Sequence, residues 1–383
     1  MCGTVSLAQR AVRYIPGNRI SYMYRNELTG IFSDRYPVHE QSGTDGNLFL
    51  NGRVVWDEGS SKELRTIIRN KKDAVLRRGT DWIAVYRTAD DALPEGFFDS
   101  LKDTTPDGYA ETEMVVRVIS YPWDLIDFNA ACITSDFMHR TNRGKNKIQG
   151  RVHPRAVITP KKNVMVGRKT VIGPYVAIDA SKGPVIIGES VTIEPHVFIQ
   201  GPVWIGAETK VKSGARIYGG TSIGYNCRAA GEINSSIIHS YSNKAHEGFL
   251  GHSYLGQWIN IGADTNNSNL KNDYGDIRVM LNGKPVETGK QFFGMVMGDH
   301  GRTGINTMIN TGTIVGVGCN IFGANFPPKY IPDFSWGGAD FLRVYQFEKF
   351  LQNAHAMTGR RRVTLTNAEI QLLRKLYDSR ESK

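Results

Sequence analysis

The segment from Ser242 to Asp273 reads SNKAHEGFLGHSYLGQWINIGADTNNSNLKND. It is crowded with groups that do chemistry. His246 and His252 carry imidazoles that exchange a proton near neutral pH. Lys244 and Lys271 carry positive charge suited to an anionic group. The asparagines at 260, 266, 267, 269 and 272 offer amides for a polar ligand. Those at 266–269 would serve equally as an internal ladder that caps turns. Ile and Leu interrupt the segment at regular intervals, so it is either an active site set into a repetitive scaffold or the polar rim of one.

The scaffold is read from a period of six. Apolar marks fall at Val166, Ile172 and Ile178, then, after an interruption at SKGP, at Ile187, Ile193, Ile199, Ile205, Val211, Ile217 and Ile223. They return at Leu255 and Ile261, and the series resumes as Thr303, Ile309, Val315 and Ile321. Neither the helical nor the strand period explains this spacing. A short flat strand followed by a tight turn does, with the aliphatic residue pointing inward and a small residue beside it permitting the turn. Three such units close a triangular coil of roughly 18 residues. The expected architecture is a left-handed parallel β-helix over residues 151–335, broken by an inserted loop at about 266–302. In that loop Asn282-Gly283 marks a hairpin, and such loops commonly wall a site.

Residues 336–383 are expected to be helical. ADFLRVYQFEKFLQNAHAM has apolar residues at helical spacing, and TLTNAEIQLLRKLYDS opens with Thr366 and Glu369 as a capping box. TGRRRV between them is a charge cluster, read as a solvated turn in preference to a ligand clamp. Residues 1–150 are expected to form an α/β domain. NLFLNGRVVW, DWIAVYRT and EMVVRVIS read as strands, SSKELRTIIRNKK as a Ser-capped helix and DDALPEGFFDSL as a helix. No Gly-x-Gly-x-x-Gly or Walker loop is present.

Composition narrows the function classes. Of the 383 residues, 40% are hydrophobic and 22% charged, as in an ordinary globular protein. No apolar run is long enough for a membrane span and no secretory leader is evident. Cys2, Cys132, Cys227 and Cys319 are widely separated, which fits a reducing cytoplasm and no thiolate zinc site. The net charge of +10 lies almost wholly beyond residue 150, because the first 150 residues carry about 20 basic and 20 acidic groups. Such charge attracts nucleic acid or phosphorylated small molecules. No nucleic-acid-binding motif accompanies it, so small molecules are expected.

Two stretches carry a resemblance. GEINSSIIHSYSNKAHEGFLGHSYLGQWINIGADTNNSNLKNDYG and GMVMGDHGRTGINTMINTGTIVGVGCNIFGANFPPKYIPDFSWGG resemble the sugar nucleotidyltransferase/acyltransferase family related to bifunctional UDP-N-acetylglucosamine pyrophosphorylase and glucosamine-1-phosphate N-acetyltransferase. The likeness is specific over about residues 165–340. It is weaker earlier, where FSDRYP and NLFLNGRVV resemble a degenerate, Rossmann-like nucleotidyltransferase domain. The resemblance implies a cytoplasmic homotrimer of nucleotide-sugar biosynthesis that acts on sugar phosphates and nucleotides, with acetyl-CoA bound between adjacent β-helices.

Residue by residue, the resemblance implies His246 as general base and Asn260 beside it in catalysis. Glu232, Lys244, Asn269 and Lys271 fall at or beside substrate-contacting positions. Phe249 stands where the family has a tyrosine. Thr303, Gly304 and Asn306 occupy the rung where coenzyme A is met by backbone groups. His252 and His300 compete for the role of base. The family's Gly-x-Gly-Thr-Arg loop, upstream of CGTVSL, has no counterpart in the chain, so either the start is assigned late or the loop is lost. Nucleotidyl transfer, and the Mg2+ it would use, depend on which.

Two other readings remain. One is a non-catalytic sugar-nucleotide-binding scaffold. The other is a zinc enzyme of the γ-carbonic anhydrase type, which the spacing opposes: a step of six from His246 to His252 moves to the next face of the coil.

Overall fold

The structure, a computed structural model, describes residues 1–17, 20–32, 47–70, 72–88, 96–102, 104–141, 144 and 147–382. The expectations for FSDRYP and for the first half of the 90–101 helix fall outside these residues. The chain divides into two compact units, Val5–Ser120 and Met1–Thr4 with Tyr121–Lys383. The division thus lies at Ser120/Tyr121 and not at residue 150.

In the unit Val5–Ser120, strands β1 (Asn47–Leu50), β2 (Ala74–Arg78), β3 (Asp81–Arg87) and β4 (Ala110–Glu113) form a sheet in the order β1-β3-β2-β4. Helices α1 (Leu7–Tyr14), α2 (Asn26–Phe32), α3 (Glu58–Ile68) and α4 (Phe97–Ser100) accompany it. Strand alternation sends Ala74, Leu76 and Ala84 to one side, against Tyr14, Trp56 and Leu64. Val75 and Val85 go to the other side, against Phe97 and Leu101. The sheet flanked by helices follows the sequence pattern, with three differences. Strand β2, which turns into β3 through Gly79 (φ 58°) and Thr80, was not foreseen. Helix α3 is capped by Asp57, whose side chain accepts from the Ser60 amide, and not by a serine. The stretch EMVVRVIS is strand only at its first residue, because β4 ends at Glu113 and only Val118 bridges further, to Val54.

The other unit is a parallel β-helix of the left-handed type with three faces. The first face has nine strands, from Val164–Val166 to Tyr330–Ile331; the second has eleven, from Arg151–Val152 to Leu342–Val344. The third has six, from Val157–Thr159 to Phe249–Gly251, and the pair Asn266–Asn267 and Met308–Ile309 follows it. The hexad residues stack inward in columns. Ile187, Ile205 and Ile223 are in register on the first face, Ile193 and Val211 on the second, Ile199 and Ile217 on the third. All belong to one buried core.

The gap in the sequence pattern between Ile223 and Leu255 is filled by Ala229, Ile233, Ile238, Lys244 and Leu250 in the same columns. These coils are shorter, which shifts the phase of the repeat and hides it. Thr303 and Asn267 also point inward, so the column interior turns polar at three rungs.

The inserted segment leaves the β-helix after Asn266–Asn267 and returns at Met295–Met297, a narrower insertion than 266–302. Its hairpin pairs Arg278–Leu281 with Lys284–Glu287 through Asn282 (φ 50°) and Gly283 (φ 73°). Ile277, Val279 and Phe293 then pack with Trp123 and Ile126 over Ile314, Tyr254 and Val296. The insertion therefore covers the first face. It shares that cover with helix α5 (Asp124–Thr141), which lacks a strong amphipathic pattern and belongs to the β-helix rather than to the preceding unit.

At the C-terminus, Leu342–Val344 is a strand antiparallel to Ser335–Gly337 and not the start of a helix. Helix α6 spans Phe347–Gly359, and α7 spans Asn367–Asp378 with the expected Thr366/Glu369 capping box. Their aromatic residues close the end of the solenoid on Phe334. Among the described residues no helix is long and apolar enough to cross a membrane.

Because each inward aliphatic has close partners above and below, a cavity there collapses poorly. Ile217→Ala is expected to lower unfolding free energy by about 3 kcal/mol in urea denaturation. A loss below about 1 kcal/mol would contradict tight columnar packing.

Candidate active site

The corner between the second and third faces carries Lys244 to Phe249. Lys244 ends a second-face strand in register with Ala229 and Ile261, so its side chain enters the interior, where it is 1% exposed. Its Nζ donates to the carbonyls of Ala230 and His246, both at 3.0 Å. Gly231 makes room for it: a Cβ there would meet the Lys244 Nζ at 2.8 Å and the Gly248 carbonyl at 2.7 Å, and its φ is 68°. The expectation that Lys244 contacts substrate is thereby corrected. It is a buried fastener behind the corner that presents His246. Burial lowers its pKa to about 8.

The His246 side chain is exposed, and so is that of Glu247. Around them the backbone is clamped by neighbouring coils. The Glu232 amide donates to the Gly248 carbonyl, the Asp264 amide to the Glu247 carbonyl, and the Phe249 amide to Asn266 Oδ1 at 2.7 Å. On the third face Arg216, Glu232 and Phe249 stand in register, one coil apart. The Arg216 guanidinium lies 3.6 Å from Glu232 and 3.6 Å from Glu247. Arg216 was not singled out in the sequence, where it reads as one more solvent-facing residue of a hexad. The signal that finds it is the register, which places it beside Glu232.

Asn260 lies on the outward side of the second face, between Asn243 and Arg302, and accepts from Asn243 Nδ2 at 3.4 Å. Thr303 is internal: its hydroxyl accepts from the Gly262 amide and bonds the Thr265 hydroxyl, both at 2.9 Å. It therefore offers no surface side chain to a coenzyme, and the Gly304 carbonyl is taken by Thr265 and Thr307. Asn306, exposed and at φ 53°, forms the corner of that coil, above Ala263.

Asn269 and Lys271 sit elsewhere. His252 occupies the next corner, between the third and first faces, in agreement with the step of six. Its Nδ1 lies 2.8 Å from Asn269 Nδ2, and its ring stacks on Phe292 of the insertion. An amide nitrogen is a donor, so this bond fixes His252 Nδ1 as an acceptor. Burial lowers the His252 pKa, opposed by Asp127, so the ring is neutral near pH 7. Lys271 lies at the root of the insertion, close enough to Lys329 to help burial lower that lysine's pKa.

His300, the third candidate, is buried between Trp258 and Phe350 and has no access to a substrate. Asn266 and Asn267 do cap turns. Asn267 is internal and bridges the Gly251 amide and carbonyl. Among the described residues no group of three or more His, Cys, Asp or Glu side chains converges on a metal position. His246 and His252 stand on different corners of the coil.

Comparison with known proteins gives the relationship. Residues 1–145 match the family described as sugar nucleotidyl transferase. Over parts of its length the chain is similar to bifunctional nucleotidyltransferase/acetyltransferases. It is 32% identical over 116 residues to a bifunctional sugar-1-phosphate nucleotidylyltransferase/acetyltransferase of Sulfurisphaera tokodaii, covering 30% of this chain and 28% of that protein. It is 28% identical over 173 residues to the bifunctional protein GlmU of Synechococcus elongatus, covering 45% of this chain and 33% of that one. It is 29% identical over 285 residues to the bifunctional protein GlmU of Methanococcus aeolicus, covering 69% and 59%. The chain thus spans about a third of the length of the first two relatives.

Two expectations follow from the corners. Replacing Asn269 by Asp puts a carboxylate on His252 Nδ1 and raises the pKa of that ring, read by NMR titration; an unmoved titration would contradict the contact. For Lys244, an unfolded lysine holds its proton to 10.5 and the folded one releases it at about 8. Between these values the unfolded state binds the extra proton, so stability rises with pH. Denaturation of the wild type from pH 8 to 10.5 should show this rise relative to Lys244→Met. Parallel curves would contradict it.

Proposed function

We propose that the protein transfers an acetyl group from acetyl-CoA to the amine of an amino-sugar 1-phosphate, with His246 as general base, in the formation of a nucleotide sugar. The observation that carries this reading is the His246 corner. An exposed imidazole stands on a backbone clamped from both sides, next to an arginine held between two carboxylates. The relationship to nucleotidyltransferase/acetyltransferases supports the same chemistry.

A sugar amine is protonated in water and must shed a proton to attack a thioester. The first ammonium proton is lost to solvent; as the nitrogen–carbon bond forms, the neutral imidazole of His246 accepts a second proton from that nitrogen. The carbon–sulfur bond then breaks, and the departing thiolate takes the proton from the imidazolium, leaving an amide and a free thiol. Glu232 accepts from sugar hydroxyls, Arg216 holds the phosphate, and Phe249 supplies an apolar floor. Asn260 and Asn306 flank the path of the acyl donor on the coils above.

In a single chain, Asn269 and Lys271 lie at the other corner of the third face. A cytoplasmic homotrimer with the donor between adjacent β-helices brings that corner of one copy toward His246 of the next, so each site would draw on two copies. Nucleotidyl transfer by the first unit is a second reading, favoured by the match over residues 1–145. UTP and a sugar 1-phosphate, with release of pyrophosphate followed, test it separately.

Incubation with acetyl-CoA and glucosamine 1-phosphate should release free thiol. His246→Ala should slow release by about 100-fold or more, and His252→Ala by far less. Mixed assemblies of His246→Ala and Lys271→Ala chains should regain activity that neither has alone. Ligand binding with no thiol release from the wild type would replace the enzyme by the scaffold reading. Equal rates in His246→Ala and wild type would remove His246 as the base.

A further inference from the structure

The turn between α6 and α7 carries Arg360, Arg361 and Arg362. A solvated turn would send these charges into water, but Arg361 is turned onto the β-helix. Its Nη1 donates to Asn226 Oδ1 at 3.0 Å and its Nη2 to Asn243 Oδ1 at 2.8 Å. Arg228 Nη1 donates to the same Asn226 oxygen at 3.3 Å and to the Cys227 carbonyl at 2.8 Å. Two guanidinium groups therefore share one neutral amide oxygen. Along the outward side of the second face Arg228 is followed in register by Asn243, Asn260 and Arg302. Arg302 reaches under α6, donating to the Asn353 carbonyl at 3.1 Å.

What this strip lacks is a counter-charge. Among the described residues no carboxylate lies within ion-pair distance of Arg228, Arg302 or Arg361, although Lys210 and Arg216 on neighbouring strands have such partners. Glu208, on the preceding coil, is engaged otherwise. It bonds the Tyr225 hydroxyl, which with burial pushes that pKa up to about 12, and it accepts from Asn226 Nδ2 at 3.4 Å. Burial and then the charge of Arg228 lower the pKa of Arg361. Holding cations together on neutral amides costs free energy that an anion would relieve. A guanidinium is also the side chain whose planar fork matches the oxygens of a phosphate.

We propose that Arg228 and Arg361 bind a phosphate group of a small-molecule ligand, with Arg302 extending the site along the same face toward a second phosphate. The asparagine oxygens at 226 and 243 hold the arginines in place until the anion arrives. The ligand class is a diphosphate, either free or as part of a nucleotide or a coenzyme. The proposal does not depend on the acyl-transfer reading, because it concerns binding at residues outside the His246 corner.

The test is calorimetric titration of the full chain with inorganic pyrophosphate, ADP and coenzyme A as separate probes. Saturable binding of at least one is expected, weakening with added salt. Tighter binding of ADP or coenzyme A than of pyrophosphate would assign the site to the larger molecule. Arg228→Gln and Arg361→Gln should each weaken binding roughly tenfold or more. Because Arg361 also fastens the α6–α7 turn, thermal melts accompany both variants. Arg228→Gln carries the test if Arg361→Gln melts early, since the bonds of Arg228 stay on its own and the preceding coil. No saturable binding of any probe, or unchanged affinity in Arg228→Gln, would overturn the proposal.

Discussion

One constraint governs the larger unit: the strands of the β-helix must send at least one residue inward, onto the residues of the coils above and below. Burying a single aliphatic side chain is worth about 2 kcal/mol, and the columns repeat that contribution along the solenoid. Away from the first face, which the insertion and α5 cover, few outward residues carry packing duty, and the corners are free even of sheet pairing. Chemistry can therefore be placed at the corners with little cost to the fold, and both the His246 and the His252 groups are found there.

The columns also show where the fold concedes stability to the site. At Lys244, Asn267 and Thr303 the inward residue is polar, and each is satisfied by backbone groups or a neighbouring hydroxyl. All three lie on the rungs that form or adjoin the two corners. Lys244 ties the His246 carbonyl to the Ala230 carbonyl, so the polar interior fixes the geometry of the exterior. Gly231 carries no side chain where the lysine ammonium occupies the space a Cβ would take.

Much of this was legible in the sequence. The hexads locate the inward columns because a period of six has no other common cause, and Asn282-Gly283 and Thr366/Glu369 name their turn and cap by local chemistry. The shortened coils between Ile223 and Leu255 lose the phase, and with it the inward direction of Lys244. Arg216 was invisible because its partners are a coil away in sequence, and only the register joins them. Helix α5 was missed for want of a clear apolar stripe. The stretch FLRV looked helical because a short edge strand followed directly by a helix presents one continuous apolar run. Asn269 was grouped with His246 by proximity in sequence, whereas the coil carries it round to His252.

The account stands on the corner that presents His246 as the seat of acyl transfer. The most direct measurement is a crystal structure of the protein with glucosamine 1-phosphate and a non-transferable acetyl-CoA analogue. The account predicts the sugar amine within about 3 Å of the His246 imidazole, with the phosphate on Arg216. A sugar amine seated against His252 and Asn269, with the His246 corner bare, would contradict it.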